Sequence, residues 1–181
     1  MKSLTLFLLY SLGCAMTLLA SPPDGISSTV AMAEQHKKEL NYEKAHSLYQ
    51  LLAADSPDNI EFLVACAELE VLMGKENTAI RTYEDVLKKS PDNLAANIFL
   101  GNYHFLKAEE RRMKLDNEYE KSTLPTRQKN ENYKKNLRLV YVTDYLIAHK
   151  YLNKVIRLFP SVEAKRTIEK IDKIGVFVRE K

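Results

Sequence analysis

Ser56-Pro57-Asp58-Asn59 returns 34 residues later as Ser90-Pro91-Asp92-Asn93, and this pair decides how the chain is read. Neighbouring positions keep the same step: Ala45 and Tyr49 before the first copy match Ala79 and Tyr83 before the second. Proline cannot continue a helix, so Pro57 and Pro91 each close one unit. Ahead of each proline the apolar residues fall at helical spacing, with Ala45, Leu48, Tyr49, Leu51 and Leu52 in one segment and Ala79, Ile80, Tyr83, Val86 and Leu87 in the next. A repeat of this length built from two helices buries its apolar faces only by stacking on a neighbour.

Working outward, the units are 26–59, 60–93 and 94–160. The segment from Phe62 to Leu72 is apolar on too many sides for a surface helix, as an internal helix of a stack must be. Gly74 follows where a helix closes in the left-handed conformation. The third unit begins normally at Leu94, but the next matching helix appears only at Ala148, Leu152 and Val155, ended by Pro160. About 35 residues, near 107–141, are inserted within it. They are good helix formers of mixed charge, broken once at Ser122-Thr123-Leu124-Pro125-Thr126, so the spacing predicts a hairpin that protrudes on the order of 20 Å. A disordered charged loop is the alternative. Residues 161–174 read as an amphipathic capping helix behind Ser161, ended by Gly175, with 175–181 as an apolar tail.

Position by position, the units resemble the tetratricopeptide repeat family. Leu63 stands where that family has Trp, Cys66 and Ala67 where it has Leu-Gly, Ala79 and Tyr83 where it has Ala and an aromatic, Val86 at its second Ala, and Pro91 at its terminal Pro. The first unit matches at Ala45, Tyr49 and Pro57, and the third at Leu100, Gly101, Ala148 and Pro160. The resemblance implies an all-α, right-handed helical solenoid of about three helix-turn-helix units with a terminal cap. It also implies a concave face lined by first helices: Glu34 and Lys38, then Glu61, Val64, Glu68 and Val71, then Ala95, Ile98, Asn102 and Phe105. Where the family clamps a peptide carboxylate with Lys, Asn and Arg, this chain has Val30, Glu34, Ala65, Ala95 and Phe99, so that clamp is absent. An apolar groove edged with acids remains, suited to a segment with apolar anchors and positive charge. Burial of Val64, Val71, Ile98 and Phe105 by the stack itself is the competing reading.

Lys2 and the apolar run from Leu4 to Ala20 form an export signal, residues 1–20, followed by a linker at 21–25. Cleavage after Ala20, acylation at Cys14 within Ser11-Leu12-Gly13-Cys14, and an uncleaved anchor all stay open, and each places the domain in the periplasm, outside the cell or on the envelope. Without the signal only Cys66 is left, so no internal disulfide forms.

The chain has 27 Lys and Arg against 24 Asp and Glu, a formal charge of +3, with the signs interspersed, and nucleic acid is not the expected partner. There is no phosphate loop, paired-cysteine metal motif or histidine pair at ligand spacing, so neither a cofactor nor catalysis is expected. His104 and His149 are the two histidines that the third helix pair brings nearest. A protein-binding scaffold of the cell envelope is the leading expectation, and a small-ligand or glycan module using Tyr103, Tyr141 or Tyr145 is the alternative. Self-association is open, since three repeats are few for a solenoid.

Overall fold

The computed structural model describes residues 25–179, and every element in that range is helical. In order these are α1 (Gly25–Lys38), α2 (Tyr42–Asp55), α3 (Ile60–Leu72), α4 (Glu76–Lys89), α5 (Leu94–Lys121), α6 (Thr126–Val140), a π-helical turn (Tyr141–Tyr145), α7 (Leu146–Leu158) and α8 (Val162–Arg179). Backbone angles stay helical through Val140 and Leu146, so α6, the π-turn and α7 form one continuous rod. From α1 to α5 each helix packs on the next, α5 packs on both α6 and α7, and α8 packs on α7 and α6. The fold is all-α, a stack of helical hairpins whose third member is extended.

Small residues at fixed register let the helices approach. Ala33, Ala67 and Gly101 recur every 34 residues and are buried, as are Ala45, Ala79 and Ala148 on the second helices. Against the latter set lie Tyr49, Tyr83 and Leu152, all buried. A Cβ at Gly101 would come within 2.8 Å of Leu152 Cδ2, so the third hairpin closes more tightly than an alanine there would allow. α3 feeds two cores at once: Phe62, Cys66 and Leu69 pack with α1 and α2, while Val64 and Ala67 pack with Tyr83, Val86, Ala96 and Leu100.

The recurring turns are built alike. Asn59 Oδ1 accepts from Glu61 N at 3.1 Å, and Asn93 Oδ1 accepts from Ala96 N at 3.0 Å, each satisfying a free amide at a helix start. A lysine from a helix further along holds each proline carbonyl: Lys89 Nζ donates to Pro57 O at 2.8 Å and Lys154 Nζ to Pro91 O at 2.6 Å. At the opposite edge, Gly74 has φ 71° and Leu40, 34 residues earlier, has φ 60°. Leucine thus occupies a left-handed position that suits glycine.

Two expectations are corrected. Gly175 does not end the last helix: α8 runs to Arg179, and Gly175 is a close-contact site where an added Cβ would lie 2.8 Å from Tyr141 Cζ. Within the expected tail, Val178 is buried at 1% exposure, whereas Val176 and Phe177 face outward. The reason is Arg138, whose guanidinium donates to Val178 O at 2.7 and 3.2 Å and fastens the final turn to α6. The expected export signal, with Cys14, lies outside the described residues.

Candidate functional site

The first helices α1, α3 and α5 carry the expected groove, and the stack leaves only part of it open. Glu61, Glu68, Val71, Ile98 and Asn102 are exposed. Val64 is 6% exposed and belongs to the core beside Tyr83, so it is a packing residue. Phe105 is half-buried: its ring lies 6.2 Å from that of Tyr145, and Lys170 Nζ sits 5.2 Å from its centroid. Glu34 accepts a short hydrogen bond from Tyr49 OH, and Glu68 pairs with Lys37 at 3.3 Å. Burial, reinforced by Glu34, pushes the Tyr49 phenol well above its ordinary range. The open row therefore combines carboxylates on α3 with apolar side chains on α3 and α5.

Behind this row lies a buried carboxylate that is structural. Glu70, 4% exposed, meets His46 Nε2 at 3.0 Å and accepts from Thr82 Oγ1 at 2.7 Å, tying α2, α3 and α4 together. Cys66 nearby is buried, and burial with Glu70 pushes its thiol up to about 12, so it is inert at neutral pH. His104 and His149 have separate partners. His104 stacks against Tyr151 at 6.1 Å, and burial lowers its pKa; His149 pairs with Asp172 at 3.3 Å. Among the described residues no group of three or more His, Cys, Asp or Glu is placed to hold a metal. No helix among them is long and apolar enough to cross a membrane.

The extended hairpin offers a second surface, one that sequence reading did not resolve to residues. Glu109 is its polar centre: Tyr145 OH donates to it, Lys170 Nζ donates at 2.7 Å and Arg112 Nη2 at 3.2 Å. Burial alone would raise this carboxyl, but the three donors outweigh it and hold its pKa below the ordinary range. Further out, Tyr133 OH donates to Asp116 at 2.6 Å, and the rings of Tyr119, Tyr133 and Phe177 follow one another at 5.2 and 6.4 Å. These rings line an open cleft of about 1050 Å³, edged by Arg127, Lys134, Glu120 and Glu131. By contrast Tyr141 and Tyr145 are buried in the core, and neither presents a face for a ligand.

On the other flank of the hairpin, buried Asp144 sits in the π-turn. It accepts a short hydrogen bond from Arg111 and one from Thr143 Oγ1 at 2.9 Å, with Lys107 Nζ at 3.6 Å. A π-turn adds one residue per turn, and here it keeps both Leu137 with Val140 above and Ala148 with Leu152 below in the core. Apart from an Asp at an inward position, nothing among these residues marks the π-turn in advance.

A stack of helical hairpins presenting an open row along its first helices defines a helical-repeat protein. Among solved structures the chain is similar to a Bacteroides ovatus ATCC 8483 protein, provisionally described as a protein-binding protein and solved at 2.19 Å. The two are 39% identical, with a TM-score of 0.81 over 91% of this chain and 80% of that one. The chain belongs to the same family as that protein. No protein-family model matches the chain, and no curated protein matches it.

Proposed function

We propose that the chain is a non-catalytic interaction scaffold of tetratricopeptide type, exported to the cell envelope, that binds a protein segment along its first helices. The observation that carries this reading is the open row Glu61, Glu68, Val71, Ile98 and Asn102, which stays accessible after the hairpins have stacked. Acids beside exposed Val71 and Ile98 favour a helical or extended segment with apolar anchors and Lys or Arg between them. The hairpin supplies a second surface for the same or another partner. Fluorescence anisotropy against a set of basic amphipathic peptides tests it: Ile98→Glu and Glu68→Lys are each expected to weaken binding about tenfold. Binding that both variants leave unchanged refutes the groove.

A small-ligand or glycan role is the second reading, favoured by the cleft of Tyr119, Tyr133 and Phe177, since sugars and planar ligands stack on such rings. Thermal stabilisation by an oligosaccharide that Phe177→Ala abolishes would place this reading first. Export is tested by the mass of the protein from its own host. A start at Ser21 in the soluble pool gives a free adaptor, and a start at an acylated Cys14 gives an anchored one.

A further inference from the structure

The outward face of the rod formed by α6, the π-turn and α7 carries Lys135, Leu139, Val142, Leu146, Lys150 and Arg157. Steps of three and four, with one double step, keep them on one side, opposite the buried Leu137, Val140, Ala148 and Leu152. Leu139, Val142 and Leu146 are 56%, 55% and 41% exposed. In the repeat register Leu146 corresponds to Asn77 of α4 and Glu43 of α2, both polar, so an apolar residue there departs from what the stack asks of its outer face.

Charge on this rod is mostly of one sign. From Thr126 to Leu158 there are 8 Lys and Arg against two acids, Glu131, which pairs with Arg127 in the first turn of α6, and Asp144, which is buried on Arg111. Among the described residues no carboxylate pairs with Lys135, Lys150 or Arg157. The complement lies elsewhere in the same molecule. Residues 25–93 contain 7 Lys and Arg against 12 Asp and Glu, whereas residues 94–179 contain 18 against 10. The interspersed charges of the whole chain thus conceal an acidic first half and a basic second half. On the acidic half, α3 exposes Val71 at 39% and Leu72 at 50% alongside Glu61 and Glu68.

We propose that the Leu139/Val142/Leu146 stripe of one copy docks on the exposed edge of α3 in a second copy, head to tail. The proposal rests on the groove reading and names its partner. A symmetric pairing of two stripes is disfavoured, because it would set lysines and arginines against one another with no acid between them. A head-to-tail contact is heterologous and can continue from copy to copy.

Sedimentation velocity of the full chain, over a range of concentrations at 50 and 500 mM NaCl, is the test. Association is expected at low salt, about tenfold weaker at high salt. Leu139→Glu/Leu146→Glu and Glu61→Lys/Glu68→Lys, each with unchanged helical circular dichroism, are each expected to be monomeric. Mixed in equal amounts they should form a one-to-one dimer and go no further, since each retains one intact surface. A monomeric wild-type chain overturns the proposal, as does a dimer that both variants still form. Phosphatidylglycerol vesicles that bind the wild-type chain but not the stripe variant, without self-association, also overturn it in favour of an anionic lipid surface. Basic peptides that bind through Glu68 while no self-association occurs leave the groove reading standing and sink only the head-to-tail contact.

Discussion

Leu40 and Gly74 occupy equivalent places, and only one of them suits its conformation. A left-handed leucine costs about 1–2 kcal/mol, part of which is recovered in the unfolded chain because leucine is less free than glycine. Leu40→Gly is therefore expected to stabilise the protein by about 0.5–1 kcal/mol, and Gly74→Ala to destabilise it by about 1 kcal/mol, in urea unfolding. At Gly175 the problem is space: Gly175→Ala pushes into the Tyr141 ring and should cost about 1–3 kcal/mol. Burial also fixes how the fold meets alkali. Burial first, with nearby carboxylates, raises Cys66, Tyr83 and Tyr133 to about 12 from ordinary values of 9.0, 10.0 and 10.0. The unfolded chain then loses these protons first, so stability is intact below pH 9 and drains away as pH climbs from 9 towards 12. The urea midpoint should fall between pH 8 and pH 11; a flat midpoint would show that these groups are not buried as described.

Among the elements, the second helices were the most legible, because alanine, an aromatic or leucine, and proline recur there at fixed intervals. The first helices were harder: Val64 and Ile98 share a register position, yet one is core and the other open, a difference set by the neighbouring helix. The π-turn was invisible because its residues, Tyr141 to Tyr145, have ordinary helical preferences and only the packing of both ends of the rod demands the extra residue. Its Asp144 is buried against a partly exposed Arg111, and Asp144→Ala strands that cation. A loss of about 3 kcal/mol is expected, and Arg111→Ala in the same background should add little, a double-mutant cycle that calorimetry can close. The end of α8 escaped sequence reading for a similar reason. Glycine usually signals a helix end, but here its missing side chain serves a contact.

Over the whole molecule, the extended hairpin is part of the stack, because α8 rests on it as well as on α7. Arg138, Leu137 and Tyr141, all within or bordering the inserted stretch, hold the last turns of α8. Excising residues 107–141 would restore the ordinary repeat spacing yet remove these holds. Hydrogen exchange should then show α8 losing protection from Gly175 onward while α1 to α4 keep theirs. Retained protection throughout α8 would mean that α7 alone suffices to seat it.

The attachment of α8 has a mechanical consequence. One end of the helix is seated on α7 through Ala164 and Ile168, and the other is fastened at the base of the hairpin by Arg138 and the Gly175–Tyr141 contact. It acts as a strut across a lever. With an arm of about 20 Å, a tilt of about 5° at the base carries the tip by roughly 2 Å, more than a close-packed contact tolerates. The single atom missing at Gly175 thereby sets the elevation of an arm whose far end lies several turns away.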